Sequence, residues 1–206
     1  MQTADTPLLI AERSAANGCV LGVLTLNVES SLNSLTLEMI RAMTKALGNW
    51  RSRDDLVAVV LNGRGPKAFC AGGDIQALYR SCVANQQARS QVDDYARCFF
   101  SEEYQLDLLM HQYPKPIVTL GHGVVMGGGF GLFSASRFRV LTERSRLAFP
   151  EIPIGLFPDA GGSWALKNMP LTAAAFLGLT GSQLNARDAL NLGIGSHVVD
   201  HGTRDD

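Results

Sequence analysis

The segment GHGVVMGGGFG, Gly121–Gly131, constrains the fold more than any other stretch: six of its eleven residues are glycine. The spacing predicts a glycine-rich helix over Met126–Ser136, although glycine is among the costliest residues in a helix interior. Such a helix needs very close packing, or a ligand that approaches the backbone closely. Two further motifs flank it in the chain. KAFCAGGD, Lys67–Asp74, places a tight glycine turn after a short apolar run. PEIPIGLFPDAGG, Pro150–Gly162, holds two carboxylates, Glu151 and Asp159, among Pro and Gly. The first two offer backbone N–H groups that can be aimed at a ligand, and the third offers an acid, a base or a nucleophile. A polarised carbonyl beside a carboxylate is what acyl-thioester chemistry requires.

Each motif also has a plain structural reading. Ala71-Gly72-Gly73 is either an anion-binding turn or a turn that only needs glycine. The Gly121–Gly131 run lacks the third glycine of a dinucleotide loop, since Met126 stands there, and it lacks the G-K-[ST] of a phosphate loop. Glu151 follows an apolar strand, where a carboxyl tends to a raised pKa. Asp159 is either a site residue or a helix cap, Glu102 and Glu103 fall by default on a solvated helix face, and His122 is structural. Ser163 lacks a nucleophile elbow, which argues against a serine hydrolase. The four histidines and four cysteines show no ligand spacing, so neither a metal nor a separate cofactor is expected.

Around these motifs strands alternate with helices, the pattern of an α/β fold. Leu8–Arg13 and Val20–Leu26 flank Asn17-Gly18 as a hairpin. A helix is expected over Ser34–Trp50 with Thr36 as its cap, and a fully buried strand over Leu56–Leu61. Asp74 caps a helix to about Tyr79, and a long helix runs from Val92 to Met110 before Pro114. Ile117–Leu120, Phe138–Leu141, Leu147–Phe149 and Ile194–Val199 read as strands. Gly162–Met169, Leu171–Leu177 and Leu184–Leu192 read as helices. A length of 206 residues suits one domain. A net charge of −1 gives no global field for nucleic acid or an anionic membrane. With reduced cysteines, no secretory leader pattern and no apolar run long enough to span a bilayer, a cytoplasmic protein is expected.

The order and spacing of KAFCAGGD, HGVVMGGGFGL and FPEIPIGLFPDAGG resemble the crotonase (enoyl-CoA hydratase/isomerase) superfamily, from about Leu8 to Asp200. SEEYQLD, Ser101–Asp107, and IGLFPDAGG look most like its subgroup that hydrolyses 3-hydroxyisobutyryl-CoA. The resemblance implies a spiral of ββα units with C-terminal helices. Coenzyme A enters as part of the substrate, and valine breakdown is the implied pathway. It places an oxyanion hole at the N–H groups of Ala71 and Gly128. It also implies catalytic roles for Glu151 and Asp159, and substrate contacts at Glu103, Gly73, Asp74 and Gly127. Hydratases of this family carry a glutamate where this chain has Gly131, so only Glu151 of their pair remains. Hydrolysis is therefore the leading expectation, ahead of an enoyl-CoA hydratase or isomerase and of a non-catalytic CoA-thioester-binding subunit. The family continues into further helices, so the resemblance also implies one crotonase-like domain over residues 1–206, shortened at its C-terminal end. Apolar surface left uncovered there would favour a homo-oligomer.

Overall fold

A computed structural model describes residues 6–14, 18–89 and 92–204. Strands β1 (Leu8–Ser14) and β2 (Val20–Leu26) pair antiparallel, with Leu8 opposite Leu26. Of the expected Asn17-Gly18 turn, Asn17 lies outside the described residues, and Gly18 has φ +76°, a left-handed conformation that favours glycine. Helix α1 (Leu37–Trp50) starts where Thr36 Oγ1 accepts from the Met39 N–H at 3.2 Å, the expected cap. It buries Met39, Ile40, Met43, Leu47 and Trp50 on one face, each contributing roughly 1.5–3 kcal/mol of transfer free energy.

Strand β3 (Leu56–Gly63) pairs parallel with β2. It is not the fully buried strand expected: burial alternates and Val57 is 41% exposed. β-Branched residues therefore lie on both faces of a half-covered strand, where composition and burial diverge. From β3 onward the chain alternates between two sheets. Strands β3, β5 (Ile117–Gly121), β7 (Phe138–Thr142) and β10 (His197–Val199) extend a six-stranded sheet, ordered β1-β2-β3-β5-β7-β10. Strands β4 (Ala68–Cys70), β6 (Val124–Met126), β8 (Arg146–Ala148) and β9 (Leu184–Asn185) form the second sheet, ordered β4-β6-β8-β9. Each step of this spiral advances one strand in each sheet and returns through helices: α2 (Ile75–Gln87) and α3 (Asp94–His111), then α4 (Gly128–Ala135), then α5 (Gly162–Leu166) and α6 (Leu171–Thr180). Helix α7 (Ala186–Asn191) follows β9. This is the α/β spiral of ββα units expected.

Several boundaries differ from the sequence reading for local reasons. Met126 belongs to β6, where it pairs with Ala148, and Gly127 at φ +51° breaks the strand before α4 starts. Helix α2 runs on to Gln87 because neither Pro nor Gly interrupts it. The expected helix over Leu184–Leu192 begins as a two-residue strand paired with β8, and Asn185 then caps α7 by accepting from the Asp188 N–H at 2.9 Å. His122 is buried between β5 and β6 with Nε2 2.8 Å from the Gly65 carbonyl oxygen, the structural role expected.

Candidate active site

Three segments converge on one cleft of about 190 Å³: the turn after β4, the start of α4 and the loop after β8. Helix α3 closes the fourth side with Phe99, Phe100 and Glu103. Gly72, at φ +105°, lets the first turn pass close to the second, because a Cβ there would meet the Met126 carbonyl oxygen at 3.2 Å. Gly128 is equally constrained, since any side chain on it would run into Glu103 Oε1. These glycines serve close approach rather than turn geometry alone, and that approach is what the glycine density of the sequence required.

The turn donates differently from the expectation. The Ala71 N–H is already spent on the Leu32 carbonyl at 3.1 Å, so it cannot serve as the first oxyanion donor. Around it, Leu35 N–H donates to the Gly72 carbonyl and Asp74 N–H to the Leu35 carbonyl. Gly73 lines the cleft, and its N–H donates to no other described residue; the same holds for Gly128 at the head of α4. Gly73 and Gly128 thus offer two backbone donors to the cleft, one from each motif. Asp74, expected to contact substrate, instead accepts from the Ala77 N–H at 3.0 Å as the cap of α2, and it does not line the cleft.

Glu151, Glu103 and Asp159 all line the cleft with Gly127. Glu151 is 6% exposed and its Oε2 has no partner among the described residues. Burial, with the charge of Asp159 adding, pushes its carboxyl up to about 7. A base or nucleophile poised near the working pH is what acyl transfer favours. Glu103 is not on a solvated face: it is 2% exposed, and burial together with Asp107, Asp159 and Glu151 raises it to about 9. Glu102, its neighbour, does face solvent and pairs with Arg41 at 2.7 Å. Asp159 is no helix cap, for its Oδ2 accepts a 2.6 Å hydrogen bond from the Tyr104 hydroxyl.

Tyr104 and Asp107 are site neighbours that the sequence reading missed. The buried stripe of α3 is Phe99, Glu103, Leu106, Asp107 and Met110. That spacing put both acids on the apolar face, which was the available signal. Tyr104→Phe is expected to lower the denaturation midpoint by the equivalent of about 1 kcal/mol, the worth of one such hydrogen bond. An unchanged midpoint would mean that the Tyr104–Asp159 bond contributes nothing.

A family model described as enoyl-CoA hydratase/isomerase matches residues 21–206. The mitochondrial 3-hydroxyisobutyryl-CoA hydrolase of Homo sapiens is 43% identical over 183 residues, covering 89% of this chain and 45% of that protein. The Mus musculus protein of the same name is 42% identical over 97% of this chain and 49% of its own length. This chain thus spans about half the length of the curated relatives it matches. Among solved structures, a carnitinyl-CoA dehydratase from Mycobacterium thermoresistibile superposes with a TM-score of 0.87 at 36% identity, over 98% of this chain and 56% of that one. An enoyl-CoA hydratase from Mycobacterium smegmatis gives 0.82 at 29% identity, over 98% and 73%.

Proposed function

The chain belongs to the enoyl-CoA hydratase/isomerase family, and on that premise we propose that its cleft hydrolyses a short-chain hydroxyacyl-CoA thioester of the 3-hydroxyisobutyryl-CoA type. The observation that carries this reading is Glu151: a buried carboxyl with an unpartnered oxygen, lining one cleft with two free backbone N–H groups. A thioester carbonyl placed between Gly73 and Gly128 would have its developing negative charge met by preorganised donors. Glu151 then either attacks that carbonyl carbon or takes a proton from a water that does. In both cases the C–S bond breaks and the thiolate leaves and is protonated to coenzyme A. On the first route a mixed anhydride with Glu151 remains, which water then hydrolyses to the free acid and the restored carboxylate; on the second the water oxygen enters the acid directly. Glu103, protonated near neutral pH, donates a hydrogen bond to the substrate hydroxyl, and Asp159 orients it from the opposite wall.

Gly131 supports hydrolysis over hydration. It supplies no carboxylate from α4, and a Cβ there would already meet Ala160 Cβ at 2.7 Å. The names of the curated relatives point the same way. The cleft is small, and its apolar wall of Leu78, Phe99, Phe100, Ile154 and Leu156 suits a short acyl group.

The pH dependence of thiol release tests the role of Glu151. Only the ionised carboxylate attacks or accepts a proton, so the acid limb of turnover is expected to rise with pH through about 7. A rise centred in the ordinary carboxylate range, near 4, would remove Glu151 from this role. Single turnover in ¹⁸O-water separates the two routes. Label in the Glu151 carboxyl marks the nucleophile, and capture of the acyl group by hydroxylamine from a mixed anhydride detects that route when water opens it at the acyl carbon.

A further inference from the structure

One buried acid beside this cleft is not used by the reaction as proposed. Asp107 follows Glu103 by one turn of α3, is 8% exposed, and has no partner at either carboxylate oxygen among the described residues. Its Oδ2 lies 3.0 Å from where a Cβ on Gly131 would stand, so the bare α-carbon of Gly131 is what admits it. Asp107 does not line the catalytic cleft. It heads a neighbouring cavity of about 460 Å³ with Tyr104, Gly131, Ala160 and Trp164. The bonded pair of Tyr104 and Asp159 stands between the two spaces.

The carboxyls near Asp107 are Glu103 and Asp159, and no Lys or Arg lines its cavity. From its own helix come Glu103 and Tyr104, and from the loop after β8 comes Asp159 with Glu151 beyond it. Helix α4 offers Gly131 and Ser134, which carry no charge, and α5 offers Trp164. His111 lines the same cavity, with its ring 5.1 Å from that of Trp164. Among the described residues Asp107 has no ion pair with Lys, Arg or His. An ionised carboxylate in that position would be buried, unpaired and beside the acids Glu103 and Asp159, a costly state for a carboxyl. The neutral acid is the form that fits.

We propose that Asp107 is a positioning residue of this site: as the neutral acid it fills the space that Gly131 leaves and sets the charge around Glu103 and Asp159, and its ionisation switches the site off at alkaline pH. The inference rests on the hydrolytic reading for its kinetic consequence and on geometry alone for the protonation state. When Asp107 loses its proton, the new charge opposes Glu103's neighbourhood and the negative charge that develops on the thioester oxygen. Burial and Asp159 raise its carboxyl to about 8, which locates the switch.

The test is Asp107→Asn, which keeps the shape and fixes the neutral state. Wild-type kcat/KM is expected to rise through about pH 7 and fall above about 8, whereas Asp107→Asn keeps the rise and falls only where Glu103 ionises, about 9. An identical alkaline limb in both proteins overturns the proposal. A second readout does not depend on hydrolysis. The Asp107 carboxyl is raised on folding, so the stability it contributes is fully present below its unfolded pKa and is lost as pH rises through about 8. Asp107→Asn should therefore melt less pH-dependently between about pH 4 and 8 than wild type, and equal slopes there overturn the proposal. If wild type releases no thiol, the hydrolytic reading fails while the melting slopes still decide Asp107. Should the variant not fold, ¹³C NMR of aspartate-labelled wild type follows the group directly. A carboxyl still protonated at neutral pH is expected, and complete titration in the acid range overturns it.

Discussion

Glu151→Gln is expected to lower thiol release from 3-hydroxyisobutyryl-CoA by about 10²- to 10⁴-fold, the range for removing a positioned acid–base or nucleophilic group. The amide neither attacks nor accepts a proton, yet it has the size of the carboxyl it replaces. Stability should move the other way. The Glu151 carboxyl is raised to about 7 on folding, so its contribution is present at low pH and lost as pH rises through about 7. The neutral amide carries no such loss, and above about pH 7 the variant should melt no lower than wild type. Lower activity with undiminished stability marks a group placed for chemistry rather than for the fold. A rate within a few-fold of wild type would remove Glu151 from the reaction.

Gly128→Ala carries the second large effect. The added methyl would run into Glu103 Oε1, and Leu35 Cδ2 lies 3.6 Å from the same point. Glu103 is 2% exposed and its open side is the cleft itself, so either its carboxyl moves into the space of the acyl group or the head of α4 shifts. A shift of α4 displaces the Gly128 N–H from the carbonyl it is to stabilise. The expected cost is on the order of 10²- to 10³-fold in kcat, the effect of losing one oxyanion donor. KM should change less, because the donor acts mainly on charge that appears in the transition state. Equal losses in kcat and in binding would instead indicate a general collapse of the cleft.

The parts of this site that could be read in the sequence are those fixed by short-range chemistry. Thr36 and Asp74 are caps because a side-chain oxygen reaches an N–H three residues on, a relation contained in the local order. Glu151 and Gly128 follow from motif order. The assignment of Ala71 failed because which N–H of the turn stays free is decided by Leu32, a residue far back in the chain whose carbonyl takes the Ala71 proton. Glu103 was placed on a solvated face because acids usually are. Its burial depends on the glycines of α4, which bring that helix against α3. Asp107 needed the same tertiary contact, and Gly131 shows why: the absence of a side chain on one helix is what admits a carboxyl from another. The strand over Leu56–Gly63 shows the converse, for an apolar run gives strand propensity without saying which face is covered.

The most direct test of the central claim is the fate of two thioesters offered to this 206-residue chain. Thiol release is followed from 3-hydroxyisobutyryl-CoA, and both thiol release and loss of the double bond are followed from crotonyl-CoA. The account predicts thiol release from the hydroxyacyl substrate, lowered at least about 10²-fold in Glu151→Gln, with no hydration of crotonyl-CoA. Hydration of crotonyl-CoA, or tight binding of both thioesters without turnover, would contradict it.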